Sequence, residues 1–460
     1  MSALILFLLV ALGIGAALAR RGLSHASFFA ADHQASAWLT GLAGTAIGLS
    51  AFTFVGGPAL VAEKGFGALW MILPAPLTGV LQCWILGGWL VNRQRRVLTL
   101  PQLLGEDYGP TAQATAALLV GLGCLAGVAV QAKAVAVLSE TLLGGSGELW
   151  AVWVVLATVA YLAVGGMRTA VWVDALFGLS MGVVALVLTA AALHHAYTTK
   201  ALGTLWHTGE AYLGFFGKVP PAQAFAWYSL FTLGTLAQPH YLQKFLFLPS
   251  VRELSRLPFT LTASLMTVLT VWVGVGVAAL ALVVSGALPA GGDQVVPLLL
   301  QRLGKGAVTA TVIACFFAIM STVASLLNML VASVTYDLPL AFGQTPWSIT
   351  ASQALTVVSG LVGTGLGLAS SRTVALLGLL GWGFFTAALL PPVLLARFRL
   401  GTSRGLVRAM VLGGSLCLAL ESIRNYLPPG WEPGLLGAAL GLLVGASTKE
   451  KQKCIGPTQD

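Results

Sequence analysis

Along the chain, runs of about twenty apolar residues alternate with short segments that collect charge, glycine and proline. A helix needs about 20 consecutive apolar residues to cross the hydrocarbon core of a bilayer. Applied as a sliding window, that rule predicts thirteen spans, at 2–18, 36–62, 66–91, 112–138, 148–166, 171–194, 222–243, 258–286, 306–334, 349–369, 373–396, 406–423 and 433–447. An odd count puts the two termini on opposite sides of the membrane. No basic residue precedes the first span and Arg20-Arg21 follows it, the reverse of a cleaved signal peptide's charge order, so a retained helix is expected there.

Two spans carry more interruptions than crossing requires. The second holds Gly41, Gly44, Gly48, Gly56 and Gly57 before Pro58, and the seventh holds Ser229, Thr232, Gly234 and Thr235 before Gln238-Pro239. Glycine-broken spans at corresponding places in two halves of a chain point to the central site of a transporter. Irregular backbone at membrane depth survives only where it lines a cavity, and there its free carbonyls can coordinate ions. Helix packing through small residues explains part of the glycine content, but not its concentration in these two spans.

Composition agrees with the pattern. Hydrophobic residues make up 57% of the chain and charged residues 8%, whereas a water-soluble domain carries about a quarter charged residues. The net charge of +9 does not imply a nucleic-acid partner, because the basic residues lie singly or in small groups between apolar spans. Topology accounts for them instead. One alternate set of connections holds Arg20, Arg21, Arg93, Arg95, Arg96, Arg168, Lys244, Arg252, Arg256, Arg397, Arg399, Arg404, Arg408, Lys449, Lys451 and Lys453, sixteen of the twenty-four Lys and Arg. The opposite set holds seven: Lys64, Lys200, Lys218, Arg302, Lys305, Arg372 and Arg424. By the positive-inside rule the C-terminus is cytoplasmic and the N-terminus outside, in a bacterial-type inner membrane. The cysteines (Cys83, Cys124, Cys315, Cys417, Cys454) form no C-x-x-C pair and suggest neither a metal site nor a disulfide framework.

Several stretches, taken in order, resemble one family. W-L-T-G-L-A-G-T-A-I-G-L-S-A-F-T-F-V-G-G-P-A-L from Trp38 is similar to the first core helix of the sodium/solute symporters, especially the proline and pantothenate branches. Three further stretches resemble the family in order and spacing, G-G-M-R-T-A-V-W-V-D ending at Asp174, G-T-L-A-Q-P-H-Y-L-Q-K ending at Lys244 and F-F-A-I-M-S-T-V-A-S-L-L-N-M-L from Phe316, and T-L-P-Q-L-L-G-E-D-Y-G from Thr99 is similar to it as well. The resemblance implies an all-α polytopic fold with a leucine-transporter-type core of two inverted five-helix repeats at 36–396. An extra N-terminal helix and loop would occupy 1–35, and two further helices with a cytoplasmic tail would occupy 397–460. The implied activity is sodium-coupled import of a small organic solute, such as an amino acid, pantothenate or another carboxylate, by alternating access.

The resemblance also implies sites. Sodium would be held by the backbone carbonyls of Ala46 and Leu49 and by Ala318, Ser321 and Thr322. At ~100° per residue the last three fall within a ~100° arc of one helix, and neutral oxygens suffice for an ion that must be released again. Against this stands local back-bonding of the two hydroxyls to carbonyls one turn earlier. Asp174 is implied as a way-station for departing sodium, with stabilisation of a helix N-terminus as the equal alternative. The solute pocket would use Ser50, Ala51 and Phe52, then Gly127 and Gln131, then Phe231 and Thr235. Gly48 and Thr235 depart from the family pattern and are expected to enlarge or neutralise that pocket. Lys133 lies inside a span, off the Gln131 face; snorkelling or a pair with Glu140 is preferred over a role as substrate counter-ion. Residues 195–221 are expected to hold a short amphipathic helix near Leu205–Phe216, with no role assigned.

Other readings are weaker on this sequence. A membrane-embedded enzyme needs clustered acids or histidines, whereas His33, His194, His195, His207 and His240 are scattered. A sensor needs an output domain, and the chain is expected to end within about a dozen residues of its last helix. Proton coupling is the rival within transport.

Overall fold

The computed structural model of the chain describes residues 9, 10, 12–15, 17, 18, 22–93, 97–289, 294–370 and 374–447. Most of the expected span at 2–18 lies outside them, as do Arg20, Arg21, Arg95, Arg96, Arg372, Cys454 and the terminal lysines. Every regular element among the described residues is helical.

The chain runs through α1 (Ala37–Gly48), α2 (Gly57–Lys64), α3 (Ala75–Gln82), α4 (Leu100–Tyr108), α5 (Pro110–Leu142) and α6 (Gly147–Thr198). It continues through α7 (Ala201–Thr208), α8 (Pro221–Gly234), α9 (Pro239–Phe247), α10 (Val251–Val284), α11 (Val295–Leu303) and α12 (Lys305–Ala332). The last four are α13 (Ile349–Ala369), α14 (Val374–Arg397), α15 (Ser403–Ser422) and α16 (Pro433–Ser447). Wide π turns extend α3 through Cys83–Gly87 and α12 through Ser333–Asp337.

Sequence pattern explains the breaks. The expected span at 36–62 is two half-helices: α1 stops at Gly48, Leu49 is extended (φ −113°, ψ 159°), and helical geometry returns before Phe52. The expected span at 222–243 likewise divides into α8 and α9, because Pro239 lacks the N–H that would continue the helix. Within α6, Gly166 adopts φ +58° and ψ −154°, and a Cβ there would meet the Phe28 Cα at 2.6 Å. Only glycine takes that conformation without strain, so it separates the stretches expected at 148–166 and 171–194. The expected span at 66–91 is a helix only from Ala75; before it, Gly65–Met71 is a 3-10 segment.

α12 is the hub. Every residue from Ala314 to Ser333 is buried, the condition of a helix that is apolar all round and packed by neighbours on all sides. It packs on α5 and α6, while α1 packs on α6 and α10. Outer faces of α5 and α6 expose Leu118, Leu122, Leu179, Val183 and Leu186, a surface suited to lipid rather than water.

Candidate functional site

The last carbonyls of any helix lack intrahelical partners, and at the C-terminal end of α1 four carbonyls, those of Gly44, Ile47, Gly48 and Leu49, meet donors from other elements. Thr322 of α12 donates its hydroxyl to the Leu49 carbonyl at 3.0 Å and approaches that of Ile47 at 3.3 Å. The same hydroxyl lies 2.9 Å from the Ala318 carbonyl one turn earlier. The expected back-bond therefore exists, yet Thr322 also reaches the break in α1, so its oxygen is a meeting point of two helices. Tyr241 and Lys244, one turn apart on α9, donate to the Gly48 and Gly44 carbonyls, each at 2.8 Å.

The glycines of α1 are the complement of these side chains. A Cβ on Gly48 would come within 2.5 Å of the Tyr241 hydroxyl, and one on Gly44 within 3.0 Å of the Lys244 Nζ. Gly48 was expected to enlarge the pocket; the space it leaves is instead filled by Tyr241. Lys244, counted from sequence among the connecting-loop cations, is 3% exposed and lies over the Tyr241 ring, 4.1 Å from its centroid.

Asp174 stands two turns past the Gly166 break rather than at an exposed helix start. It is fully buried, and neither carboxylate oxygen is in hydrogen-bond geometry with another group. The Ser321 hydroxyl and, at longer range, the Lys244 charge act on it. One turn on, Gly178 lets α6 approach the backbone of α1 so closely that a Cβ would meet the Leu42 carbonyl at 2.3 Å. Beside it, Phe177 stacks on Phe317 with centroids 4.4 Å apart, fixing α6 against the turn of α12 that carries Ala318, Ser321 and Thr322. The hydroxyls of Ser321 and Ser325 are buried without a hydrogen-bond partner.

Above the break lies a cavity of about 430 Å³, running from Gly44 and Lys244 to Glu63 at the far end of α2. Six residues expected in the solute pocket line it: Ser50, Ala51, Phe52, Gln131, Phe231 and Thr235. Gly127 does not. It admits the Leu326 side chain of α12, which a Cβ would meet at 2.8 Å, so its role here is helix packing. The carboxamide oxygen of Gln131 is buried without a hydrogen-bond partner. Trp227, Trp272 and Trp382 complete the wall. Gln82 holds the carbonyl of Thr235 at 2.7 Å and so ties α3 to the break between α8 and α9. Lys133 is half-buried off the cavity, and no ion pair joins it to Glu140 among the described residues. The segment at 195–221, given no role from sequence, packs on the 3-10 segment Gly65–Met71: Trp70 donates to the Phe215 carbonyl at 3.1 Å and stacks on Phe216.

No curated protein matches the chain in sequence. Residues 28–413 match the family described as the Sodium:solute symporter family. The chain belongs to this family. Among solved structures it is similar to a Na+-coupled sialic acid symporter in a substrate-bound outward-open state, with TM-score 0.82, 17% identity, and 97% of this chain and 96% of that one covered. Mhp1, a nucleobase-cation-symport-1 family transporter in a closed conformation with bromovinylhydantoin bound, matches with TM-score 0.56 and 14% identity over 92% and 94% of the two chains. MhsT in complex with L-phenylalanine matches with TM-score 0.55 and 16% identity over 90% and 99%. At these identities the structures establish the fold, which is the five-plus-five inverted repeat of the leucine-transporter type.

As a sodium:solute symporter the protein is a multi-pass membrane transporter rather than an enzyme, with sodium as the coupling ion. The family motif of α9 carries a signal that a topology count overlooks. In Q-P-H-Y-L-Q-K, Tyr241 and Lys244 are spaced i,i+3 and share one helical face. Spacing could have paired them; only the fold shows that the face meets α1.

Proposed function

We propose that this symporter imports a small organic solute, such as an amino acid, pantothenate or another carboxylate, by alternating access, with sodium bound where the α1 break meets α12. The Thr322 hydroxyl in contact with carbonyls of both helices carries the proposal. Ala46 and Leu49 offer carbonyls from α1; Ala318, Ser321 and Thr322 offer one carbonyl and two hydroxyls from α12. A dehydrated alkali cation prefers such a cluster of neutral oxygens, and their lack of net charge keeps release feasible. Asp174, facing Ser321, is the way-station through which the ion leaves.

The solute occupies the cavity directly beyond, against Ser50, Ala51, Phe52, Gln131, Phe231 and Thr235. Aromatic walls with few polar groups suit a small amphiphile, and the unpartnered Gln131 amide oxygen asks for a donor. Because ion and solute meet at the same half-helix ends, each binds better when the other is present, which is the thermodynamic content of coupling. The Glu63 end of the cavity is the outer one, in a bacterial-type inner membrane with the C-terminus in the cytoplasm; the excess of Lys and Arg at the opposite end supports this.

Uptake into proteoliposomes, with amino acids, pantothenate and other carboxylates presented with and without an inward sodium gradient, tests the proposal. One class should accumulate only with sodium outside. The Ser321→Ala, Thr322→Ala double variant should raise the sodium concentration for half-maximal uptake by more than tenfold. Unchanged sodium dependence in that variant removes the site assignment.

A further inference from the structure

Among the described residues that line the cavity two are charged, Glu63 and Lys244, and they stand at opposite ends of it. Glu63 is exposed and already pairs with Lys64 at 2.7 Å. Lys244 is buried. Its ammonium donates to the Gly44 carbonyl at 2.8 Å and lies over the Tyr241 ring. Gly44, Tyr241 and Leu261, which surround it, belong to the cavity lining themselves. The buried acid Asp174 does not meet it. Both Asp174 oxygens lack hydrogen bonds, and α1 stands between the two: α6 approaches that helix at Leu42 and Lys244 approaches it at Gly44, positions ~200° apart around the axis.

A charge taken out of water is costly unless a partner compensates it, and a carbonyl dipole with a ring face does so in part. An ammonium has three N–H donors, of which the described contacts use one, on Gly44. An anion reaching this end of the cavity would meet the others. Ionisable groups held inside a membrane protein mark substrate pathways, and Lys133, the cation weighed from sequence as a counter-ion, lies off the cavity. One cation serves one carboxylate. Phe52, Leu265, Leu269 and Trp272 in the wall suit an apolar body behind it. An α-amino acid fits poorly here, because its own ammonium, one carbon from the carboxylate, would be pressed toward a like charge in a low-dielectric site. The acid that lines this cavity, Glu63, is at the other end. Resting on the symporter reading above, we propose that the solute is a monocarboxylate without an α-amino group and that Lys244 binds its carboxylate.

Titration calorimetry on the purified protein, with and without sodium, tests this with pantothenate, hydrocinnamate and isocaproate. Each acid is compared with its primary amide, and the last two with phenylalanine and leucine, their α-amino counterparts. At least one acid should bind about tenfold or more tighter than its amide and its amino counterpart, the scale of one charge-assisted hydrogen bond. Lys244→Gln, which keeps a donor for the Gly44 carbonyl and removes the charge, should erase the preference for acid over amide. Lys244→Arg should keep it. Equal weakening of acid and amide by Lys244→Gln would leave Lys244 a structural tie and overturn the inference. If the Gln variant does not give monodisperse protein, Lys244→Met takes its place, and the wild-type comparison needs no variant: an amide or amino acid bound as tightly as the acid, or no binding of any of the three acids, overturns the inference as well. Acid binding that is selective but indifferent to sodium would sink the sodium reading and leave this assignment standing.

Discussion

Tyr241 and Gly48 illustrate how narrow the tolerances at this site are. A methyl group on residue 48 has nowhere to go while the tyrosine hydroxyl stands 2.5 Å away, and moving the ring away gives up its hydrogen bond to the Gly48 carbonyl. Gly48→Ala should destabilise the protein by about 1–3 kcal/mol, the usual range for overpacking, read as a lower apparent melting temperature in detergent. Tyr241→Phe alone should cost about 0.5–1.5 kcal/mol, as one hydrogen bond. The two losses should fall short of additive in the double variant, because both break the same contact; strict additivity would mean that the ring relaxes elsewhere. Chemistry at this scale was partly legible in the chain itself. Ala318, Ser321 and Thr322 are spaced along one helix so that their places within a ~100° arc follow from helical geometry alone. Tyr241, Lys244 and Gly44 are joined only by the fold, and no local pattern in the sequence states that α9 lies against α1. Lys244 was misplaced for a related reason: a cation at the edge of an apolar window reads as a loop residue until a partner is seen inside.

Breaks in helices are the features that sequence shows best, because glycine and proline act on backbone geometry before any tertiary contact exists. The interruptions at 48–51 and 234–239 are written in Gly48, Gly234 and Pro239, and the structure puts both beside the cavity. Less legible was the 3-10 segment at Gly65–Met71, which reads as apolar helix in a hydropathy window. Its shape is set by neighbours: a Cβ on Gly67 would fall 1.8 Å from the Phe216 carbonyl, a contact supplied by a segment about 150 residues away in sequence. Within α6 the decisive position is Gly166. Alanine there must occupy a backbone region essentially closed to residues with a Cβ, and its methyl would also press on Phe28 Cα at 2.6 Å. Gly166→Ala should therefore abolish monodisperse protein on size-exclusion chromatography. Gly304→Ala, whose added Cβ would meet nothing within 4 Å though φ is likewise positive (+104°), should cost less and remain foldable. Equal behaviour of the two would show that φ alone, and not the approach of Phe28, sets the penalty.

Charge asymmetry and cavity shape give independent indications of how the whole molecule sits in its membrane. The cavity reaches Glu63, an exposed side chain that pairs with Lys64 at 2.7 Å. The opposite end carries Arg252, Arg256, Arg397, Arg399, Arg404 and Arg408. If that basic end faces the cytoplasm, the solute enters from outside, and the transmembrane potential drives sodium the same way, by about 2.3 kcal/mol per charge for each 100 mV. Cysteine labelling tests both indications at once. In a background without the native cysteines, Leu60→Cys on the cavity wall should react with a membrane-impermeant maleimide added to intact cells. Phe398→Cys, where the native side chain is 56% exposed at the other end, should react only after the membrane is opened. Transported solute, supplied with sodium, should protect Leu60→Cys and leave Phe398→Cys unaffected. The reversed pattern would invert the topology and make the open cavity an exit rather than an entrance; protection of both positions would mean that solute binding closes the molecule at each end, and the cavity would then be an occluded chamber and not a vestibule.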